Sequence, residues 1–363
     1  MSNTIGKQFK VSIFGESHGE CIGSIIDCGI AGLKISEADI QKELDRRRPG
    51  QSKISTTRKE EDKVEILSGI FNGHTTGTPI CLIVRNKDVD SSLYEKMKDM
   101  ARPGHADFTA FMKYGGFHDY RGGGQFSGRI TAGFVMAGAI AKKLLSLLKI
   151  KILAHTVEIG GIKAKEMSVK EIESNSEKNL VRCADLDAAN RMIDGIEKIR
   201  KEGDSLGGVI EAIAINVPVG IGEPIFDTLE GDLSKALFAI PAVKGVEFGS
   251  GFDAARKKSS ENNDAFIVKG GKVVTKTNNA GGILGGISNG MPIVLRVAVK
   301  PTPSISKTQQ TVNMKKMKNT ELKISGRHDP CIVPRAVPVV ESMVAITLCD
   351  FLLRAQLLPR VIK

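Results

Sequence analysis

The sequence predicts an α+β fold with antiparallel strand pairs and strongly apolar helices. Three observations carry this. Phe9, Val11 and Ile13 alternate with Lys10 and Ser12, the two-residue period of a half-buried strand. Val64 to Ile70 and Pro79 to Val84 read as an antiparallel pair separated by an Asn72-Gly73 turn. The stretches from Ile130 to Leu147 and from about Pro338 to Leu353 are apolar nearly all round, which implies full burial or a subunit contact.

The remaining elements follow in order. The first strand ends in the turn Gly15-Glu16-Ser17-His18-Gly19, and Cys21 to Cys28 is apolar enough for a second strand. Ser36 with Asp39 three residues on reads as a helix start whose inner face is Ile40 and Leu44. That helix ends in Arg46-Arg47-Arg48-Pro49-Gly50, where basic side chains suit the negative helix end; a solvated charge cluster explains the triplet equally well. Residues 56–62 read as a charged loop or edge strand, 88–100 as helical or irregular, and 151–158 as a strand. Residues 168–200 read as largely helical, 209–217 as a buried strand, and 227–238 as a helix stopped at Pro241. The glycine-rich stretch 278–290 then feeds a strand from Pro292 to Val299. Lys315, Lys316 and Lys318 read as a solvated face or loop.

At 363 residues and 41% hydrophobic content the chain can bury a large core, and no composition break divides it, so 1–363 is taken as one domain. A net charge of +11 predicts acidic partners. Nucleic acid is the default, but three Tyr, no Trp and no basic tract interleaved with aromatics do not make a stacking platform. The expectation is therefore a small polyanion, with no nucleic acid and no membrane partner. Six Cys without a CxxC pair read as reduced thiols of a cytoplasmic protein, and the first ten residues hold no signal-peptide hydrophobic run.

The stretch HDYRGGGQFSGRITAG, residues 118–133, concentrates the chemistry. Gly122, Gly123 and Gly124 allow a positive-φ turn close to a ligand. Ser127 is placed to cap the helix that follows, and Arg129 falls in its first turn. A cation is unfavourable at that end, so its presence suggests an anion to offset it. Arg47, Arg102, Arg129, Lys300 and Arg327, with His18, His105 and Asp329, all lie beside Gly or Pro in turns. Converged, they would bind several negative charges and offer two imidazoles for proton transfer. A zinc site, a Walker loop and a serine-nucleophile elbow are all excluded by missing motifs: no HExxH, no paired ligand cysteines, no Gly-Lys-Ser/Thr, and a Ser17-His18 pair whose side chains point apart.

GESHG (15–19), DRRRPG (45–50), RPGHAD (102–107), DYRGGG (119–124), NNAGGILGGIS (278–288), KPTPS (300–304) and GRHDP (326–330) together resemble the chorismate synthase family, in family order across nearly the whole chain. The resemblance implies a β-α-β sandwich, antiparallel sheets around a helical core, assembled as a homotetramer. It implies a phosphate lyase that takes 5-enolpyruvylshikimate 3-phosphate to chorismate by a 1,4-anti elimination needing reduced FMN, itself reduced by NADPH or another reductant. By motif match His18 would protonate or stabilise the reduced flavin, His105 would protonate the departing phosphate, and Asp329 would help flavin N5 take the ring proton. Substrate anions would fall to Ser17, Arg47, Lys53, Arg102, Ser127, Arg129 and Arg327. FMN would lie on Gln125, Phe126, Ser127, Pro241, Ala242, Gly285, Lys300, Pro301, Thr302, Pro303, Ser304 and Arg327, with no metal. Three departures stand out: Gln125-Phe-Ser-Gly-Arg-Ile-Thr131 replaces the common RSSARET, Lys53 stands where many members have Arg, and Pro241 where Asn is frequent. Two other readings compete: a divergent flavin- or anion-binding member with weak activity, and a nucleic-acid-binding protein justified only by charge.

Overall fold

The computed structural model describes residues 3–50, 60–87, 90–324 and 328–363. Two five-stranded sheets, every neighbouring pair antiparallel, enclose a layer of helices. The first sheet runs in the order Thr4–Ile5, Lys10–Gly15, Cys21–Asp27, Ile80–Arg85, Val64–Ser68. The second runs Ile162–Lys163, Lys151–Ile159, Gly208–Ile215, Ile293–Val299, Val243–Phe248. Between them lie Thr131–Ser146, packed mainly on the first sheet, and Val333–Arg354, packed mainly on the second. This is the β-α-β sandwich the resemblance implied.

The apolar character of the two central helices follows from their place between sheets. Val333–Arg354 is long and apolar enough to cross a membrane, yet its most apolar part is buried inside the protein. The two helices touch where Gly138 faces Ser342; a Cβ on Gly138 would lie 2.3 Å from that of Ser342, so only glycine permits the approach. The buried Glu341 is matched by Arg46 at 2.6 Å and Lys142 at 2.6 Å, which ties the C-terminal helix to the helix Glu37–Arg47 and to Thr131–Ser146.

Glu37–Arg47 starts as read: Ser36 Oγ accepts from the Asp39 N–H at 3.3 Å while Asp39 accepts from the Ser36 N–H at 2.9 Å. Its far end differs from the solvated cluster. Arg46 and Arg47 turn inward onto carboxylates, and Arg48 alone of the triplet stays half exposed. The Asn72-Gly73 turn makes its own small hairpin, Ile70–Phe71 with His74–Thr76, between the paired strands Val64–Ser68 and Ile80–Arg85. Residues 179–185 interrupt the stretch read as helical from 168 to 200, with Asp185 capping Leu186–Lys201. Val243–Phe248 went unread because Lys244, Gly245 and Glu247 mask the alternation of an edge strand. Lys318 opens a strand, Lys318–Lys323, paired with Thr308–Asn313 in a surface hairpin.

Candidate active site

The loop-borne residues converge. A cavity of about 860 Å³ is lined by Ser17, His18, Arg47, Gln125, Phe126, Ser127 and Arg129, and by Arg102, His105, Pro241, Ala242, Lys300, Thr302, Pro303, Ser304 and Asp329. Lys53 and Arg327 lie outside the described residues. Pro301 is not among the lining residues, though both its neighbours are. Gly285 is not brought here either: it turns the short hairpin Ile283–Leu284/Ile287–Ser288, away from the lining.

The glycine triplet builds the first wall. All three glycines have positive φ (59°, 83° and 53°), and the Ser17 N–H donates to Gly124 O at 3.2 Å, which docks the first strand's turn on the triplet. A Cβ on Gly122 would lie 2.4 Å from His18 Cδ2 and 2.7 Å from Ser17 Oγ, so glycine here makes room for two site residues. His18 Nδ1 bonds Ser91 Oγ at 2.8 Å, and its ring stands edge-on to Tyr94. Ser127 caps as expected, accepting from the Arg129 N–H at 3.2 Å, but a 3₁₀ turn, Gly128–Ile130, intervenes before the α-helix begins at Thr131. Gln125 reaches Tyr114 Oη at 3.2 Å, and Phe126 is partly exposed beside the same ring.

The anion that Arg129 requires belongs first to the protein itself. Arg129, 5% exposed, pairs with Asp62, with Glu60 at 2.7 Å, and with Asn86 Oδ1 at 2.9 Å. Arg47, 4% exposed, donates to Asp62 Oδ2 at 3.0 Å, Gly128 O at 2.8 Å and Thr131 Oγ1 at 3.1 Å. Burial draws the Arg47 guanidinium down to about 9, against the pull of Asp62 and helped by Arg335 and Arg129. Arg102 is likewise engaged, by a bidentate bond to Asp107 at 2.7 and 2.8 Å, and it lies over the Tyr94 ring.

The second wall is the loop after the strand Ile293–Val299. The Lys300 N–H donates to Ala242 O at 2.9 Å, fixing the loop to Ala242, whose own φ of 74° is unusual for a residue with a side chain. Lys300 Nζ donates to Gly104 O at 2.6 Å, and His105 Nε2 meets Ser304 Oγ at 2.8 Å, so the Arg102–His105 turn and the 300–304 loop support each other. His105 Nδ1 lies 3.0 Å from Pro103 O, which accepts only if that nitrogen carries the proton; Nε2 then accepts from the Ser304 hydroxyl. Burial, then the Arg102 charge, lowers the His105 pKa to about 4, so in the ligand-free site the ring is neutral at pH 7. Asp329 is ion-paired to Arg335, whose Nε donates to Arg47 O at 3.2 Å.

Residue patterns missed several of these groups. Asp62 and Glu60 sit in a run that reads as a charged loop or edge strand, and nothing local marks them as buried. Arg335 did leave a trace, as the one cation inside an apolar stretch. Among the described residues no cluster of His, Cys, Asp and Glu is placed to hold a metal ion.

A sequence model described as chorismate synthase matches residues 9–353. The chain is 59% identical over 363 residues to a chorismate synthase of Dehalococcoides mccartyi (strain BAV1), covering 100% of both. It is 57% identical over 353 residues to one of Methanosarcina barkeri (strain Fusaro), covering 97% of this chain and 96% of that one. A solved structure described as a crystal structure of chorismate synthase matches with a TM-score of 0.76 at 32% identity, over 97% of this chain and 93% of that one.

Proposed function

Since the chain belongs to the chorismate synthase family, we propose that the cavity between the glycine triplet and the 300–304 loop is where its reaction takes place. The protein converts 5-enolpyruvylshikimate 3-phosphate to chorismate and phosphate, the flavin-dependent 1,4-anti elimination of the shikimate pathway. The observation that carries the location is the convergence of Arg47, Arg102, Arg129 and Lys300 with His18 and His105 on one cavity. A substrate with one phosphate and two carboxylates matches that charge.

In this reading Ser17, Arg47, Arg102, Ser127 and Arg129 bind the substrate anions, joined by Lys53 and Arg327. The flavin is FMN, reduced by NADPH or another reductant. Its fit rests on two buried atoms of lining residues that have no hydrogen-bond partner, Thr302 Oγ1 and His328 Nε2, which a ligand bearing donors and acceptors would satisfy. Gln125, Phe126, Ser127, Pro241, Ala242, the Lys300 to Ser304 loop and Arg327 would hold it, with Gly285 kept as a family-based assignment. When bound, reduced flavin supplies the electron-rich ring on which the elimination depends, without net redox change.

The chain's own residues then divide the proton work. Arg102 and Arg129 draw the phosphate toward His105. A dianionic phosphate beside His105 offsets the Arg102 charge and raises the imidazole pKa from about 4, so the proton to be given at Nε2 arrives with the substrate. Ser304 releases Nε2 by turning its hydroxyl. Asp329, oriented by Arg335, would help flavin N5 take the ring proton, and His18, wedged between Gly122 and Ser91, would protonate or stabilise the reduced flavin.

We also read residues 1–363 as one domain, supported by a core that runs from Phe9 to Leu358 through both sheets. A homotetramer is supported by exposed apolar side chains such as Phe117, Ile225 and Phe226. Six free cysteines support a cytoplasmic location. The test is anaerobic chorismate formation by the pure protein with reduced FMN. Turnover is expected, and its absence would overturn the assignment.

A further inference from the structure

We propose that Asp62 is a positioning residue for the elimination, a buried carboxylate that sets Arg47 and Arg129 relative to each other and thereby presents both to the substrate. The inference rests on reading those two arginines as substrate ligands. The Asp62 side chain has no exposed surface, and its two oxygens are divided: Oδ2 accepts from Arg47 Nη1 at 3.0 Å and Oδ1 from Arg129 Nη1. Asp62 is absent from the cavity lining, so it acts through the guanidiniums it holds.

The geometry goes beyond charge neutralisation. Arg47 comes from the end of the helix Glu37–Arg47, and Arg129 from the turn before Thr131–Ser146, two elements on different chain segments. One carboxylate between them fixes the distance and the angle of two planar donors at once, which a solvated counter-ion would not. Each arginine is then locked on a further side, Arg47 by Gly128 O and Thr131 Oγ1 and Arg129 by Asn86 Oδ1. Arg47 so uses three of its five N–H groups and keeps two for a ligand. Asp62 itself has a φ of 47°, the left-handed region that Asp and Asn tolerate better than most residues with side chains. The chain bends there to deliver this carboxylate, and its neighbour Glu60 reaches the same Arg129 from the other side at 2.7 Å.

Asp62→Asn keeps shape and backbone tolerance, removes the charge, and replaces one of the two accepting oxygens with a donor, so only one of the two arginines can still be held. Its KM for 5-enolpyruvylshikimate 3-phosphate is expected to rise about tenfold or more, with kcat reduced less than KM is raised. FMN binding, followed by flavin fluorescence on the same preparation, is expected to stay within twofold because the 300–304 loop is untouched. A merely structural role lowers the active fraction and leaves KM where it was. In the Arg47→Ala background the same substitution is expected to raise KM by a clearly smaller factor than in the wild type, because one of the two groups it positions is gone. If Asp62→Asn does not fold, Asp62→Glu is read in its place: it keeps the charge, moves it by one methylene, and is expected to raise KM by a smaller factor. An unchanged KM in the folded variant, or a full multiplicative effect on top of Arg47→Ala, overturns the proposal. An unchanged KM in Arg47→Ala alone overturns instead the reading of Arg47 as a substrate ligand.

Discussion

On one wall of the cavity Arg47 and Arg129 are buried and already paired with Asp62 and Glu60; on the other, the 300–304 loop holds a neutral His105 and leaves Thr302 Oγ1 without a partner. The first wall is electrostatically complete before any ligand arrives. The second is completed by what binds. A site divided in this way keeps its anion-binding geometry rigid, which favours orientation, and keeps its proton chemistry responsive, which favours timing. It also means that the cations visible in the sequence are not all free charge. The field offered to a substrate is set by Lys300 and by the N–H groups that each arginine has left.

The comparison breaks most visibly at His105. His105→Ala is expected to lower kcat by about 10²–10⁴-fold with little change in KM, since a general acid acts in the transition state. Single-turnover phosphate release measures it, and a pure binding defect with an unchanged rate would contradict the division of labour. Gly122→Ala attacks the packing that supports the first wall. Its Cβ would displace His18 or Ser17, and a misplacement of roughly 1 Å is expected to cost about a hundredfold in kcat/KM. The folded variant should still bind FMN. Arg129→Lys is milder: charge stays, the planar fork is lost, and KM is expected to rise roughly tenfold, the worth of one charge-assisted hydrogen bond. A kcat effect larger than the KM effect would place Arg129 in the chemistry instead.

The two walls were not equally legible in the sequence. Periodicity marked most strands of both sheets and the two apolar helices, because burial between layers writes itself as unbroken apolar sequence. Gly and Pro turns marked His18, His105, Gly122 and Lys300, since special backbone needs special residues. The motif resemblance then ordered these into one family. What stayed hidden was pairing across long separations. Asp62 meets Arg129 from sixty-seven positions away, and no local pattern distinguishes it from Glu61, which faces solvent. For the same reason the cation at the start of the Thr131 helix pointed to an external anion, when a protein carboxylate was the nearer answer. Val243–Phe248 was lost because an edge strand carries charges that interrupt alternation.

Acid titration separates the walls with the smallest effect. His105 has a folded pKa near 4 and an ordinary unfolded value of about 6.5, so the unfolded chain takes up the proton first. Its contribution is therefore fully present above about pH 6.5 and is lost progressively as pH falls toward 4. The Asp62 contribution is lost in the same direction but at lower pH. Burial alone would raise its pKa, but Arg47 and Arg129 outweigh it and hold the carboxyl below the usual range, so its contribution persists until pH drops beneath about 3.9. Between pH 6.5 and 4 the proton-transfer wall should soften while the clamp stays intact. His105→Gln, which does not titrate, should remove part of that loss. Relative to the wild type, its Tm is expected to fall less between pH 7 and pH 5.5, by about 2 °C, for a difference on the order of 1 kcal/mol. Parallel Tm curves for the two proteins across this range would mean that His105 is not held neutral by its surroundings, and the contrast between a completed and a responsive wall would fail at its most direct point.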